Sequence, residues 1–302
     1  MRQGCPDGKN PGPAPTALPS HRAAGYPGAE GCPRVVAGSD RRAKPTRLMV
    51  ASRGPVLLES TIPIVPKAKH RVTFFFLGRL KDFLTPKQRG SAVQYAFAGR
   101  PAVKDAMEAI GIPHTEVEVV TIDDRRVPLD HPLDDGHRVV VQPRDFADAG
   151  TRFVVDTHLG KLARWLRLLG FNTLYRNDYS DPEIVDISVA EGRVALTRDR
   201  GLLKHARLAS GYWVRANVPA DQIHEIVECF ALRERVAPFT RCLICNAEIH
   251  RTEKEAVAPR LFPRTCREQE EFRHCRGCDR VYWRGSHFAR LQALVKSVMN
   301  WA

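Results

Sequence analysis

The strongest constraint in this 302-residue chain is a stretch, residues 151–232, in which short apolar runs alternate with amphipathic ones. TRFVVD reads as a strand. HLGKLARWLRLLG reads as a helix with Leu159, Leu162, Ala163, Leu166 and Leu169 on one stripe and Gly170 at its stop. FNTLY is a second strand, and Ser180-Asp181-Pro182-Glu183 opens a second helix with a cap residue, a first-turn proline and acids that complement the dipole. Gly192 ends it; RVALT, GLLKHARLA, GYWVRA and ADQIHEIVECFALRE continue as strand, helix, strand and helix. Strands joined through helices must run parallel, so an α/β core with a parallel sheet is predicted.

That scheme places acids together. Asp156 follows the first strand, Asp178 and Asp181 lie between the second strand and its helix, and Asp199 follows the third strand. The carboxyl ends of parallel strands share one edge, where ligands bind. Clustered carboxylates repel unless a divalent cation holds them, and hard oxygen donors suit Mg2+ or Mn2+. Such an ion activates water against a phosphodiester. Plain structural roles stay open for some of these acids: Asp181 as a helix cap residue, Asp178 as a loop acid and Asp186 as a solvated helical residue. Lys161, Arg164 and Arg167 share one side of the first helix, where they either face solvent or guide a phosphate backbone. Arg198 and Arg200 flank Asp199 and join Lys161 and Arg164 as nucleic-acid-binding candidates.

Two CxxC pairs, Cys242/Cys245 and Cys275/Cys278, follow. Each offers two thiolates from a tight turn, and together they complete a closed four-sulfur site for structural Zn2+. His250, His274 and Cys266 are nearby alternatives, with Cys266 read as an unpaired thiol. After the second pair, RVYWRGSHF alternates aromatic with basic residues. Trp283 could stack a base while Arg280 and Arg284 take phosphates, or Trp283 could pack against the zinc site and the arginines face water.

Upstream, residues 70–145 carry strand, strand, helix and further strands, which resembles the ubiquitin-like β-grasp fold of small sulfur carriers. The last strand runs on through Gln142-Pro143-Arg144 with no diglycine end, so a docking module with a possible protein partner is expected instead of a carrier. Residues 1–69, rich in Pro, Gly and Arg, are read as a disordered tail, with Met49 as an alternative start. Of the net charge of +13, residues 1–71 hold +8, 72–150 hold −2, 151–232 hold +1 and 233–302 hold +6. The total charge therefore says little about the core. With 43% hydrophobic residues the chain is neither wholly disordered nor collagen-like. No apolar run is long enough to span a membrane and no secretory leader is evident, so a cytoplasmic protein with no membrane partner is expected.

Asp156 followed by Gly160-Lys161-Leu162-Ala163-Arg164-Trp165-Leu166-Arg167, then Ser180-Asp181, Gly192-Arg193 and Leu196-Thr197-Arg198-Asp199-Arg200, is similar to the PIN-fold ribonuclease family of the mutator-seven C-terminal (Mut-seven-C) type. The resemblance implies a ubiquitin-like domain at 70–145, a PIN-like nuclease domain at 151–235, a zinc ribbon at 238–290 and a C-terminal helix at 286–302. It implies metal-dependent RNA cleavage with Asp156, Asp181 and Asp199 as catalytic ligands and Asp178 as a weaker fourth. A further acid is common after the fourth strand of that fold; here the region reads Asn217, with Asp221 beyond. Two other classes of function stay open: a non-catalytic RNA-binding adapter and a sulfur-transfer accessory protein.

Overall fold

The computed structural model describes residues 69–300, so nearly all of the tail predicted over 1–69 lies outside the described residues. The first sheet is built from β1 (His70–Phe76), β2 (Val93–Phe97), β3 (Val117–Ile122), β4 (Arg125–Val127) and β5 (Arg138–Pro143), with α1 (Val103–Ile110) between β2 and β3. Its order is β2-β1-β5-β3-β4, with β1 and β5 parallel at the centre. Alternation along β1 buries Val72, Phe74 and Phe76 among Ala106, Met107 and Val139, the pattern of a sheet with one face under a helix. Asp123 and Asp124 make the turn between β3 and β4, both with positive φ, a conformation Asp tolerates better than most residues.

The second sheet follows the alternation read from the sequence. It contains β6 (Arg152–Val155), β7 (Asn172–Leu174), β8 (Val194–Thr197) and β9 (Gly211–Trp213) in the order β7-β6-β8-β9, all parallel. The helices are α2 (Gly160–Leu168), α3 (Asp181–Glu191) and α4 (Pro219–Cys229). Leu162, Ala163 and Leu166 of α2 pack with Ile223, Ile226 and Val227 of α4 on one face; Ile184 and Val185 of α3 cover the other. The start of α3 is a capping box, with Glu183 accepting from the Ser180 amide and hydroxyl at 2.8 Å each. At the end of α2, Gly170 has φ +99°, and a Cβ there would lie 2.3 Å from the Ala237 carbonyl oxygen.

The helix predicted over GLLKHARLA does not form. Only one 3-10 turn, Leu202–Lys204, is present. Backbone carbonyls of this stretch are taken by the first module. Leu203 accepts from Thr115 Oγ1 at 3.2 Å, Leu208 O lies 3.0 Å from His114 Nε2, and Ala209 accepts from Arg144 at 2.9 Å. Lys204 Nζ returns the contact by donating to Glu108 O at 2.6 Å. Tertiary hydrogen bonds have overridden a modest local preference.

The remaining elements are β10 (Ile249–Thr252), α5 (Lys254–Val257), α6 (Pro263–Glu268), β11 (Phe272–Cys275), β12 (Val281–Trp283) and α7 (Phe288–Met299). The three strands form an antiparallel sheet, and Val295 and Val298 of α7 are buried in the cluster that holds α2 and α4. Among the described residues no helix is long and apolar enough to cross a membrane.

Candidate active site and cysteine cluster

Because β6, β7 and β8 are parallel, their carboxyl ends meet at one edge. Asp156 directly follows β6 and is 6% exposed. A carboxylate so buried must be hydrogen-bonded, and it is: Thr197 Oγ1 donates to Oδ2 at 2.6 Å and Thr157 Oγ1 to Oδ1 at 3.1 Å. The same Thr197 oxygen accepts the Asp199 amide at 2.8 Å, so one fully buried hydroxyl ties two of the acids together. Asp199 folds back to accept the Gly201 amide at 2.6 Å. Asp181 stands at the start of α3. Partial burial and then the charges of Asp199 and Asp156 push its carboxyl above the usual range, with His205 pulling the other way.

Among the described residues none of these three carboxylates is paired with an arginine or lysine. Asp178 differs: Arg176 Nε donates to it at 2.8 Å and holds it below the usual carboxylate range. It sits with Arg176 and Glu183, outside the electrostatic group that raises Asp181. The three free carboxylates offer hard oxygen donors without a counter-charge, a set that fits Mg2+ or Mn2+. Their oxygens are not gathered as closely as the cysteine sulfurs, which form the metal-type group that closes to within 4.8 Å.

Those sulfurs are Cys242, Cys245, Cys275 and Cys278. Their contacts of 3.3 Å (Cys245 to Cys275), 3.5 Å (Cys242 to Cys278) and 3.7 Å (Cys275 to Cys278) are near the ~3.8 Å edge of a tetrahedron with Zn–S bonds of about 2.3 Å. Each turn ends in a residue of positive φ, Asn246 after the first pair and Asp279 after the second. Burial pushes the Cys242 thiol up, but the Cys245 and Ile244 amides and the Tyr282 hydroxyl outweigh it and bring it down to about 6. His274 is occupied by Asp279 at 2.6 Å. Cys266 is disulfide-bonded, not the unpaired thiol the sequence had suggested.

The cationic residues read from the sequence divide. Lys161, Arg164 and Arg280 are exposed and carry no ion pair among the described residues. Arg198 is tied to Ala216 O and Asn217 Oδ1. Arg200 lies 4.0 Å over the Trp213 ring and donates to Phe83 O at 3.2 Å, which makes it a strut to the first module. Arg284 pairs with Glu271 at 3.2 Å. Arg167 does not face solvent at all. It is 4% exposed and donates to Thr173 O, Leu243 O and Ile244 O at 2.9, 3.2 and 2.8 Å, joining α2 to the first cysteine turn.

Sequence reasoning missed Thr197 and Asn246 as parts of these sites and read Arg167 as a solvent-facing or phosphate-guiding residue, not as the buried tie it makes. Thr197 had a signal: a hydroxyl at the end of an apolar strand, two residues before an acid.

The fold and site thus define an α/β protein with acidic side chains at the carboxyl edge of a parallel sheet and a separate cluster of four cysteines that could hold a metal ion. Residues 69–148 match the Mut7-C ubiquitin family and residues 151–295 match the Mut7-C RNAse domain. The chain belongs to this family, with the ubiquitin-like domain on the N-terminal side, and membership in an RNase-domain family points to a nuclease-type function. Comparison with curated proteins and with solved structures returned no match.

Proposed function

We propose that the chain is a metal-dependent ribonuclease in which Asp156, Asp181 and Asp199 hold Mg2+ or Mn2+ at the edge of a PIN-like core. The observation that carries this reading is three carboxylates at one sheet edge with no arginine or lysine paired to them among the described residues, in a chain of an RNase-domain family. When bound, such an ion orients a water and neutralises charge developing on the phosphodiester. The protein's part is positional. Thr197 fixes the Asp156 carboxylate with one hydrogen bond and the Asp199 backbone with another, so both acids keep their orientation before substrate arrives. Asp178 is assigned to its pair with Arg176 and left out of the metal set. The divisions 70–145, 151–235 and 238–290 are proposed as ubiquitin-like domain, nuclease domain and zinc ribbon, with structural Zn2+ in the ribbon and RNA binding as the ribbon's task.

The test is cleavage of RNA by purified protein supplied with Mg2+ or Mn2+. Asp156→Asn and Asp199→Asn should each lower kcat by about 10²–10³, the scale of losing one preorganised electrostatic group. Cleavage by either variant at the parental rate would sink the reading. One observation favours a second reading, the non-catalytic RNA-binding adapter: the aspartate oxygens do not close to within 4.8 Å as the thiolates do. RNA retained in gel shifts, uncut with either metal, would decide for it.

A further inference from the structure

One face of α2 connects the two sites. At its start, Gly160 lies under Tyr175, where a Cβ would be 2.5 Å from the Tyr175 hydroxyl; that hydroxyl donates to Thr157 O at 3.0 Å, one residue from Asp156. About one helical turn of 5.4 Å further on comes Arg164. Then Arg167 grips the carbonyls of Leu243 and Ile244, between the first two cysteines. The cysteine-bearing module is therefore held at a fixed distance from the acids.

Beside Arg164 a cleft of about 440 Å³ opens between α2 and β12. Arg260, Arg280, Ile244, Tyr282 and Trp283 line its other sides, and no carboxylate does. Arg260 is paired with Asp279 at 3.1 Å. The guanidiniums of Arg164 and Arg280 have no hydrogen-bond or ion-pair partner among the described residues. Two like charges from separate elements thus face one cleft without compensation. Guanidiniums match phosphate oxygens in fork geometry, and an anion resolves the repulsion. Trp283, 40% exposed at the rim, adds an aromatic face. Bases in an A-form duplex are not available for stacking, so an aromatic face beside paired guanidiniums selects a single strand.

We propose that this cleft binds single-stranded RNA adjacent to the cleavage site, with Arg164 and Arg280 on phosphates and Trp283 stacked on a base. The identity of the strand as substrate rests on the nuclease reading; the binding site does not. Neither α2 nor the cysteine module makes the site alone, so the substrate path is shared between them.

The test uses the full zinc-loaded chain carrying Asp199→Asn and a short fluorescein-labelled oligouridylate, followed by anisotropy across a salt series. Arg164→Ala with Arg280→Ala should raise Kd about tenfold or more and reduce the salt slope by about 1.4, two contacts at roughly 0.7 each for single strands. Trp283→Leu should raise Kd about tenfold and leave the slope unchanged. Arg138→Ala, remote on β5, should change neither. Both arginines are exposed, and equal melting curves would show the variants folded; Arg164→Lys with Arg280→Lys should keep most of the slope. Unchanged affinity and slope in the double alanine variant would overturn the proposal, as would an oligoglutamate peptide binding in preference to RNA. In the Asp199 parent, RNA cleavage with an unaltered KM in the double variant overturns the cleft alone. RNA held through these residues but never cut leaves the cleft standing and overturns the nuclease reading.

Discussion

Charge is gathered at two places around β8 and β9, and the two are treated in opposite ways. At the joint between the sheets, Glu116 is fully buried; it accepts the Trp213 amide at 2.7 Å and Arg215 at 3.2 Å, with Arg79 at 3.6 Å. Arg215 is further paired with Asp82 at 2.9 Å. Burial pushes the Glu116 carboxyl up, and Arg215 pulls against it. At the carboxyl edge of the same sheet Asp156, Asp181 and Asp199 have no arginine partner among the described residues. Charge that the fold compensates with its own side chains holds modules together. On the proposed reading, charge it leaves uncompensated is there for a ligand, and the four cysteines, which could hold a metal, are an intermediate case.

Removing that metal should have the largest effect. Structural zinc supplies about 10–16 kcal/mol of apparent binding energy in small zinc modules, so Cys275→Ser or chelation should abolish zinc stoichiometry and lower the melting temperature by many degrees. A melt indifferent to zinc would remove the cysteine cluster from the comparison. Next in size is Glu116→Ala, which leaves Arg79 without its acidic neighbour and Arg215 with Asp82 alone. It should cost about 3–5 kcal/mol in denaturant unfolding. Glu116→Gln, which can still accept the Trp213 amide, should cost less; equal costs would mean that packing, and not charge, matters at the joint.

The smallest effect concerns Asp181. Its carboxyl is raised by burial and by Asp199 and Asp156. Between the ordinary carboxylate value near 3.9 and that raised value, the native metal-free chain binds a proton the unfolded chain has lost. Stability should therefore be greatest below this window and fall slightly as pH rises through it, and Asp181→Asn should flatten the dependence in melts across the acid range. Metal-supported cleavage should run the other way, rising with pH as the carboxylate frees its oxygens. A parent and Asp181→Asn with identical pH profiles would separate Asp181 from the acidic group.

The five-stranded and four-stranded sheets and the four-cysteine cluster were legible in the sequence because each rests on a local signal: period-two burial, helix caps, or paired CxxC turns. The acids at the strand ends followed from parallel connectivity alone. What stayed hidden depends on contacts between distant segments. GLLKHARLA carries helical composition, but Thr115, His114 and Arg144, some sixty to ninety positions away in the chain, take its carbonyls. Arg200 beside Asp199 reads as a phosphate ligand until Trp213 and Phe83 are placed beneath it. Arg167 looks solvated on a helical wheel because nothing local announces that Leu243 and Ile244 arrive above it.

The outer edge of the parallel sheet is β7, where the amide of Thr173 donates to Asn246 Oδ1 at 2.9 Å and its carbonyl accepts from Arg167. Asn246 is the residue that closes the first cysteine turn. An open strand edge is a template for pairing with another chain, and here the seal over that edge is held in shape by the thiolate cluster. With zinc in the cluster as proposed, metal supply becomes a condition for colloidal behaviour as well as for local folding. Chains made without the metal should self-associate through β7, and light scattering on zinc-depleted protein would register it.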